Sequence, residues 1–157
     1  MTPFRARTRY ARHRALALFF VAALGVGGCK VRFIDSFSRE SEEGLLRTYG
    51  AVERLFDAMD QAVRQSTPRN YQVFAAQYAE IHEMIQVLKL REDARPLNAE
   101  SQGIVKIIDS LFTKYREDHR ATKTFNEVLL GRHRDNLKRL FTAALKAERA
   151  KKEPDEP

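Results

Sequence analysis

The sequence predicts an all-α protein, an antiparallel up-down four-helix bundle, and three observations support this. Apolar residues recur every three or four positions along four stretches of the chain, which is the period of a helix with one buried face. Glycine and proline number only 7 and 5 in 157 residues, so few positions break a helix. The connections between the stretches are short, which favours antiparallel neighbours.

The first helix is expected to begin between Ser36 and Ser41. Serine side chains can cap a helix start there, and acidic residues in the first turn complement the positive end of the helix dipole. One buried face then follows in alternating steps of four and three residues. Its members are Leu45, Tyr49, Val52, Phe56, Met59 and Val63.

The second helix is expected to open at Thr67 and Pro68, since threonine can cap a helix and proline is tolerated in its first turn. Pro96 ends this helix, because the residue before a proline is pushed out of helical dihedral angles. The buried face again steps by three and four residues. It comprises Tyr71, Phe74, Tyr78, Ile81, Ile85 and Leu88.

Asn98 is expected to cap the third helix. Its apolar phase slips after Tyr115, which predicts a turn near residues 119–123. The inward residues of this helix are Ile104, Val105, Ile108, Leu111, Phe112 and Tyr115.

Thr124, with Glu127 three residues later, has the pattern of a capping box for a fourth helix. Because no glycine or proline interrupts residues 104–130, an alternative is a helical hairpin followed by one long C-terminal helix. The inward residues of the fourth helix are Leu129, Leu130, Leu137, Leu140, Phe141, Ala144 and Leu145.

The first 28 residues have the layout of an export signal. Five arginines precede an uncharged run of 14 residues from Ala15 to Gly28, and no acidic residue occurs before Asp35. A membrane-spanning helix needs about 17–25 apolar residues, so this run is too short to span a bilayer comfortably. The run ends in Val26-Gly27-Gly28-Cys29, where small residues precede the only cysteine of the chain.

These four residues resemble the lipobox of bacterial lipoproteins, in which an aliphatic residue and two small residues precede a cysteine. The family more often has leucine where Val26 stands, and alanine or serine at the next place. The resemblance covers residues 1–29 and implies acylation of the Cys29 thiol, cleavage before it and acylation of the new amino group. Lys30 after the cysteine implies the outer membrane, by the sorting preference of enterobacterial lipoproteins.

The predicted organisation has a signal peptide at 1–28, an acylated cysteine with a short tether at 29–35, a helical bundle at 36–150 and a disordered tail at 151–157. The 129 residues from Cys29 onward suffice for one domain with a core. The six residues from Lys30 to Asp35 reach at most about 20 Å, so the bundle is expected to lie close to the bilayer. The apolar residues of this tether are expected to pack on the bundle or to rest in the lipid interface; they are Val31, Phe33 and Ile34.

The formal net charge of +7 arises mainly from the signal. Five of the 28 basic residues and none of the 21 acidic residues precede Cys29, which leaves 23 basic and 21 acidic residues in the mature part. Nucleic-acid binding draws on clustered neutralisation of phosphates. This near balance therefore argues against a nucleic-acid partner.

Chemical motifs are sparse in the mature part. Its histidines are His82, His119 and His133, and none has a second strong metal ligand three or four residues away, the spacing of a helical metal pair. Neither a phosphate-binding loop nor a nucleophile elbow occurs, so no catalytic site, metal or cofactor is predicted and the protein is not expected to be an enzyme. His133 lies in phase with the inward residues, and is interpreted as a structural core histidine. A small-molecule or haem carrier that uses His133 with Met59 or Met84 is the alternative function.

The C-terminal helix carries most of the remaining charge asymmetry. Residues 132–152 hold eight basic and two acidic residues, whereas residues 36–65 hold six acidic residues and four arginines. One interpretation is that the first and last helices attract each other across solvated faces. The other is a basic strip that binds anionic headgroups or an acidic envelope protein, with Arg132, Arg134, Lys138 and Arg139 as its members. The predicted function is a binding or scaffold module on a lipid anchor.

Overall fold

The computed structural model describes residues 35–65, 69–122 and 126–152, which form an all-α four-helix bundle. Consecutive helices pack side by side, and the last packs on the first, so the up-down prediction is confirmed. The long C-terminal helix of the alternative is not formed, because the third helix ends at Thr122 and the fourth begins at Glu127. The helices are α1 (Arg39–Arg64), α2 (Tyr71–Asp93), α3 (Ala99–Thr122) and α4 (Glu127–Arg149).

The start of α1 agrees with the sequence, whereas the later helix ends differ. Ser38 caps α1, and its hydroxyl accepts a hydrogen bond from the Ser41 N–H at 3.1 Å. The predicted turn at residues 119–123 is wrong as far as Thr122, because α3 continues to that residue. His119 lies one turn beyond Tyr115 on the same buried face, which extends the helix. The predicted start of α4 is also wrong: Asn126 caps this helix and accepts from the Leu129 N–H at 2.8 Å.

Some predicted features lie outside the described residues. They are the signal, Cys29, the tether up to Ile34, Thr67 with Pro68, Thr124, and residues 153–157 of the predicted tail. The described part of α2 begins at Tyr71, directly after Asn70.

The four predicted apolar faces meet in one core. Most of their members are buried, and a few lie half-buried at the edge, among them Tyr49, Ile104 and Leu140. Leu129 is an exception, because it is 36% exposed one position away from the inward Leu130. Gly44 leaves room for the ends of the Leu88 and Arg91 side chains, because a Cβ atom there would lie 2.8 Å from both.

Candidate functional site at the tether end of the bundle

One end of the bundle, which we call the tether end, is where the chain enters the folded body at Asp35. The N-termini of α1 and α3 and the C-termini of α2 and α4 meet there. Buried polar and charged side chains concentrate at this end, and we call them the tether-end cluster. Its members are Asp35, Ser41, Glu92, Arg95, Asn98, Ser101, Glu148 and Lys151.

Arg95 is the centre of the tether-end cluster. A guanidinium group has five N–H donors, and in Arg95 every one of them is used. Arg95 directly precedes Pro96, in the helix break that the sequence predicts. This break places the Arg95 side chain just beyond the end of α2. The acceptors come from the chain before α1 and from α1, α2 and α4. They are the Asp35 carboxylate, the Ser36 carbonyl at 2.5 Å, the Ser41 hydroxyl at 2.9 Å, and Glu92 and Glu148 at 3.1 Å each.

The two buried carboxylates of the cluster, Glu92 and Glu148, are 2% and 1% exposed, and each accepts from more than one donor. Glu148 accepts from the Ser38 backbone N–H at 2.6 Å and from Lys151 at 2.7 Å, besides Arg95. Glu92 accepts from the Ser41 hydroxyl at 2.6 Å and from the Asn98 amide at 2.5 Å.

Lys151 closes the cluster on the α3 side. Its three ammonium donors bind the Asn98 and Ser101 side chains at 2.6 and 2.8 Å as well as Glu148. Asn98 stands directly before α3, where the sequence places it, but its amide binds Glu92 and its carbonyl binds Lys151. The sequence predicts Lys151 in the disordered tail, whereas the structure places it in contact with α3, α4 and Asn98.

The cluster contains three carboxylates and two cations. Burial disfavours the charged guanidinium, but the hydrogen bond and charge of Glu148, together with the charges of Glu92 and Asp35, outweigh it and raise the pKa of Arg95. Ions removed from water cost several kcal/mol each unless paired and hydrogen-bonded, and here both conditions are met. The arrangement can therefore hold the first described residues of the chain rigidly on the body.

The loop between α2 and α3 lies beside the chain entry at the same end. The Asp35 N–H donates to the Leu97 carbonyl at 3.3 Å. Leu97 has a φ of 56°, the left-handed region that residues with a Cβ atom rarely adopt, and its side chain is 61% exposed. Leu90 in the last turn of α2 is 73% exposed.

The opposite end of the bundle, the distal end, is built from aromatic rings and histidine. The His119 side chain is fully buried, and its Nε2 lies 2.7 Å from the Arg69 carbonyl, which can only accept. Nε2 therefore carries the proton, and neutral His119 accepts at Nδ1 from the Tyr78 hydroxyl 3.1 Å away. Desolvation lowers the pKa of His119, which favours this neutral form.

His133 is buried, as the sequence predicts, and its ring stacks on Tyr115 with centroids 3.6 Å apart. Desolvation lowers the pKa of His133 as well. Met59, one of the two proposed partners for haem, is fully buried in the core. Across the described ranges, no group of three or more histidine, cysteine and acidic residues is placed to hold a metal ion.

The proposed basic strip is divided by the structure. Arg134 turns towards α1, and its guanidinium binds Glu53, Asp57 and Asp60 at 2.5–3.4 Å. Arg149 binds Glu42 of α1 in the same way. In contrast, Arg132, Lys138 and Arg139 are exposed.

A groove of about 330 Å³ lies between α1 and α2. Met84, Val87 and Leu88 form its apolar part, and four glutamates and two arginines surround them. It is shallow and open to solvent, and nothing in its lining selects a ligand.

No family model, curated protein or solved structure matches this chain. Among the helices of the part that the structure describes, none is long and apolar enough to cross a membrane. The tether-end cluster and the His119 contacts are the features that sequence reasoning missed. A signal for both was present, because Glu92, His119 and Glu148 continue the apolar faces of their helices at the four-residue step.

Proposed function

We propose that this protein is a lipid-anchored lipoprotein of the bacterial cell envelope, held by acyl chains on Cys29 and facing the periplasm from the outer membrane. Its helical bundle acts there as a binding or scaffold module. The observation that carries the proposal is the order of the N-terminal features: arginines, a 14-residue uncharged run, and Val26-Gly27-Gly28-Cys29.

The folded body supports this assignment in one respect. A scaffold on a short tether needs a folded body in which the residues next to the tether do not unfold. Arg95 binds both Asp35 and the Ser36 carbonyl, which fastens these residues to three helices.

Lipidation is tested by comparing the full chain with its Cys29→Ala variant in a bacterial host. We expect the wild-type protein to start at Cys29, to carry the mass of the added acyl chains and to sediment with membranes. The variant is expected to lose the acyl mass. An intact-mass spectrum of the wild type with an unmodified thiol would refute the anchor.

The partner surface that we assign is the exposed part of the basic strip, namely Arg132, Lys138 and Arg139 on α4. Arg134 is left out, because three carboxylates of α1 already bind it. The expected partner is an acidic envelope protein, because exposed cations on α4 attract a negatively charged protein surface and speed its association.

This surface is tested by crosslinking in intact cells followed by purification of the lipidated protein. The K138E/R139E variant is expected to lose the crosslinked product, whereas a charge-matched R54E/R64E control on exposed positions of α1 is expected to keep it. Equal crosslinking by both variants would remove the strip from the proposal.

A further inference from the structure

Exposed apolar side chains occur at both ends of the bundle, so exposure alone selects neither end. At the tether end they include Leu90 and Leu97, and at the distal end Val73, Val128 and Leu129. Two other observations separate the ends. One is the backbone of Leu97, and the other is the distance of each end from Cys29.

The Leu97 backbone is costly for a leucine. A left-handed conformation is unfavourable for a residue with a Cβ atom, and glycine adopts it without that cost. A side chain that remains 61% exposed recovers little of this cost through burial. Among the described residues, burial therefore does little to offset the backbone cost of leucine at this position.

The chain length between Cys29 and the body fixes where Leu97 lies. Asp35 is hydrogen-bonded to the Leu97 carbonyl, and Arg95 holds Asp35 in place. The residues from Lys30 to Asp35 reach at most about 20 Å. If Cys29 carries acyl chains, this reach together with the Asp35–Leu97 contact sets the greatest distance of the Leu97 backbone from the lipid surface.

We propose that the α2–α3 loop and the last turn of α2 form a membrane-contact surface, in which Leu97 of the loop inserts into the headgroup boundary of the bilayer and Leu90 of α2 lies against that boundary. This inference rests on the proposed anchor at Cys29. A weak apolar contact is sufficient here, because a short tether raises the effective concentration of the loop at the bilayer. The surface sets the orientation of the body, with the tether end against the lipid and the distal end away from it.

The chain has no tryptophan, so a single introduced tryptophan reports its own surroundings. The Leu97→Trp, Leu90→Trp and Val128→Trp variants are each expressed as the full chain, purified in the processed form and placed in phosphatidylethanolamine–phosphatidylglycerol vesicles with or without brominated acyl chains. Val128 is the matched control, since it is 71% exposed at the distal end.

We expect brominated acyl chains to quench L97W roughly twofold, because interfacial side chains lie about 5–10 Å deep. In vesicles without bromine, the emission of L97W is expected to shift to the blue, because its indole ring leaves water for the bilayer interface. L90W is expected to be quenched less, and V128W not at all. L90W lies on a regular helix surface, so it reports contact with the bilayer even if L97W alters the loop. Thermal unfolding followed by circular dichroism checks the fold of each variant.

Mass spectrometry and vesicle flotation of the same preparation separate the two proposals. Acylated protein that floats with the vesicles but shows equal quenching at all three positions would overturn the membrane contact and leave the anchor standing. Protein without acyl chains would overturn both.

Discussion

At the tether end, Arg95 and Lys151 donate eight hydrogen bonds to acceptors from the tether, the α2–α3 loop and all four helices. At the distal end, a neutral histidine joins the Tyr78 hydroxyl to the Arg69 carbonyl, and aromatic rings surround it. Ionic networks lose much of their stability when one partner is removed, whereas neutral hydrogen bonds lose less. The two ends are therefore expected to respond differently to mutation and to pH.

The largest effect is expected from Arg95→Met. This change leaves Glu92 and Glu148 buried with less compensating charge, which costs about 3–5 kcal/mol. Urea unfolding of the purified protein measures the free energy of unfolding. The control is Arg47→Met on the exposed surface of α1, with an expected change within about 0.5 kcal/mol.

The source of that loss is tested by adding Glu92→Gln and Glu148→Gln to the Arg95→Met variant. If uncompensated charge is the cause, the triple variant recovers part of the stability. A triple variant less stable than R95M would indicate instead that hydrogen-bond geometry, or the pairing of Lys151 with Glu148, dominates the cluster.

The next effect is expected from His119→Phe, which keeps a buried ring but leaves the Arg69 carbonyl and the Tyr78 hydroxyl without this partner. The expected loss is about 1–3 kcal/mol, the cost of unsatisfied buried polar groups. Tyr78→Phe should cost less, because it removes only the hydrogen bond to His119 Nδ1 and keeps the one from His119 to the Arg69 carbonyl. A double-mutant cycle measures the coupling, and strictly additive losses would show that the two side chains do not act together.

These contrasts also show which parts of the molecule the sequence could predict. The buried faces were predictable, because the helical repeat is local. Val52, Ile81 and Leu137 each have apolar neighbours three or four residues away, and this spacing indicates a buried face. At the tether end, by contrast, the Ser38 backbone donates to Glu148 of the cluster, 110 residues further along the chain, and that pairing depends on how the helices pack. A charge in phase with an apolar face indicates burial but does not identify its partner.

Helix ends were predicted less well, because several side chains compete for each cap. Ser38 was within the expected range, but Asn126 caps α4 where the sequence favoured Thr124. For the proposed strip, sequence alone could not distinguish Arg134, which binds α1, from Lys138, which faces solvent; this depends on the rotation of α4 against α1.

A smaller effect, of opposite sign, is expected from Leu97→Gly at the tether end. Glycine relieves the left-handed strain but adds entropy to the unfolded chain, which leaves a net gain of about 0.5–1 kcal/mol. Thermal unfolding of the variant against wild type measures it. A destabilised variant would mean that the Leu97 side chain makes a contribution to the fold that its exposure does not suggest.

The smallest effect on stability near neutral pH is expected from protonation of the two distal-end histidines. This effect grows as the pH is lowered. The folded state lowers the pKa of His119 and His133 below the ordinary value of 6.5, mainly through desolvation. The unfolded chain therefore binds protons more readily. The contribution of the two histidines to the free energy of unfolding is therefore fully present above about pH 6.5. It is lost as the pH drops through their lowered folded-state pKa values.

Amide hydrogen exchange between pH 7 and pH 5, corrected for the intrinsic rate, locates this loss. Faster exchange is expected in the first turns of α2 and the last turns of α3, beside Tyr78 and His119, before it spreads to the tether end. A His119→Gln/His133→Gln variant should lose most of this pH dependence. If acid instead opens the tether end first, protonation of its carboxylates rather than of the distal histidines would limit the stability of the bundle.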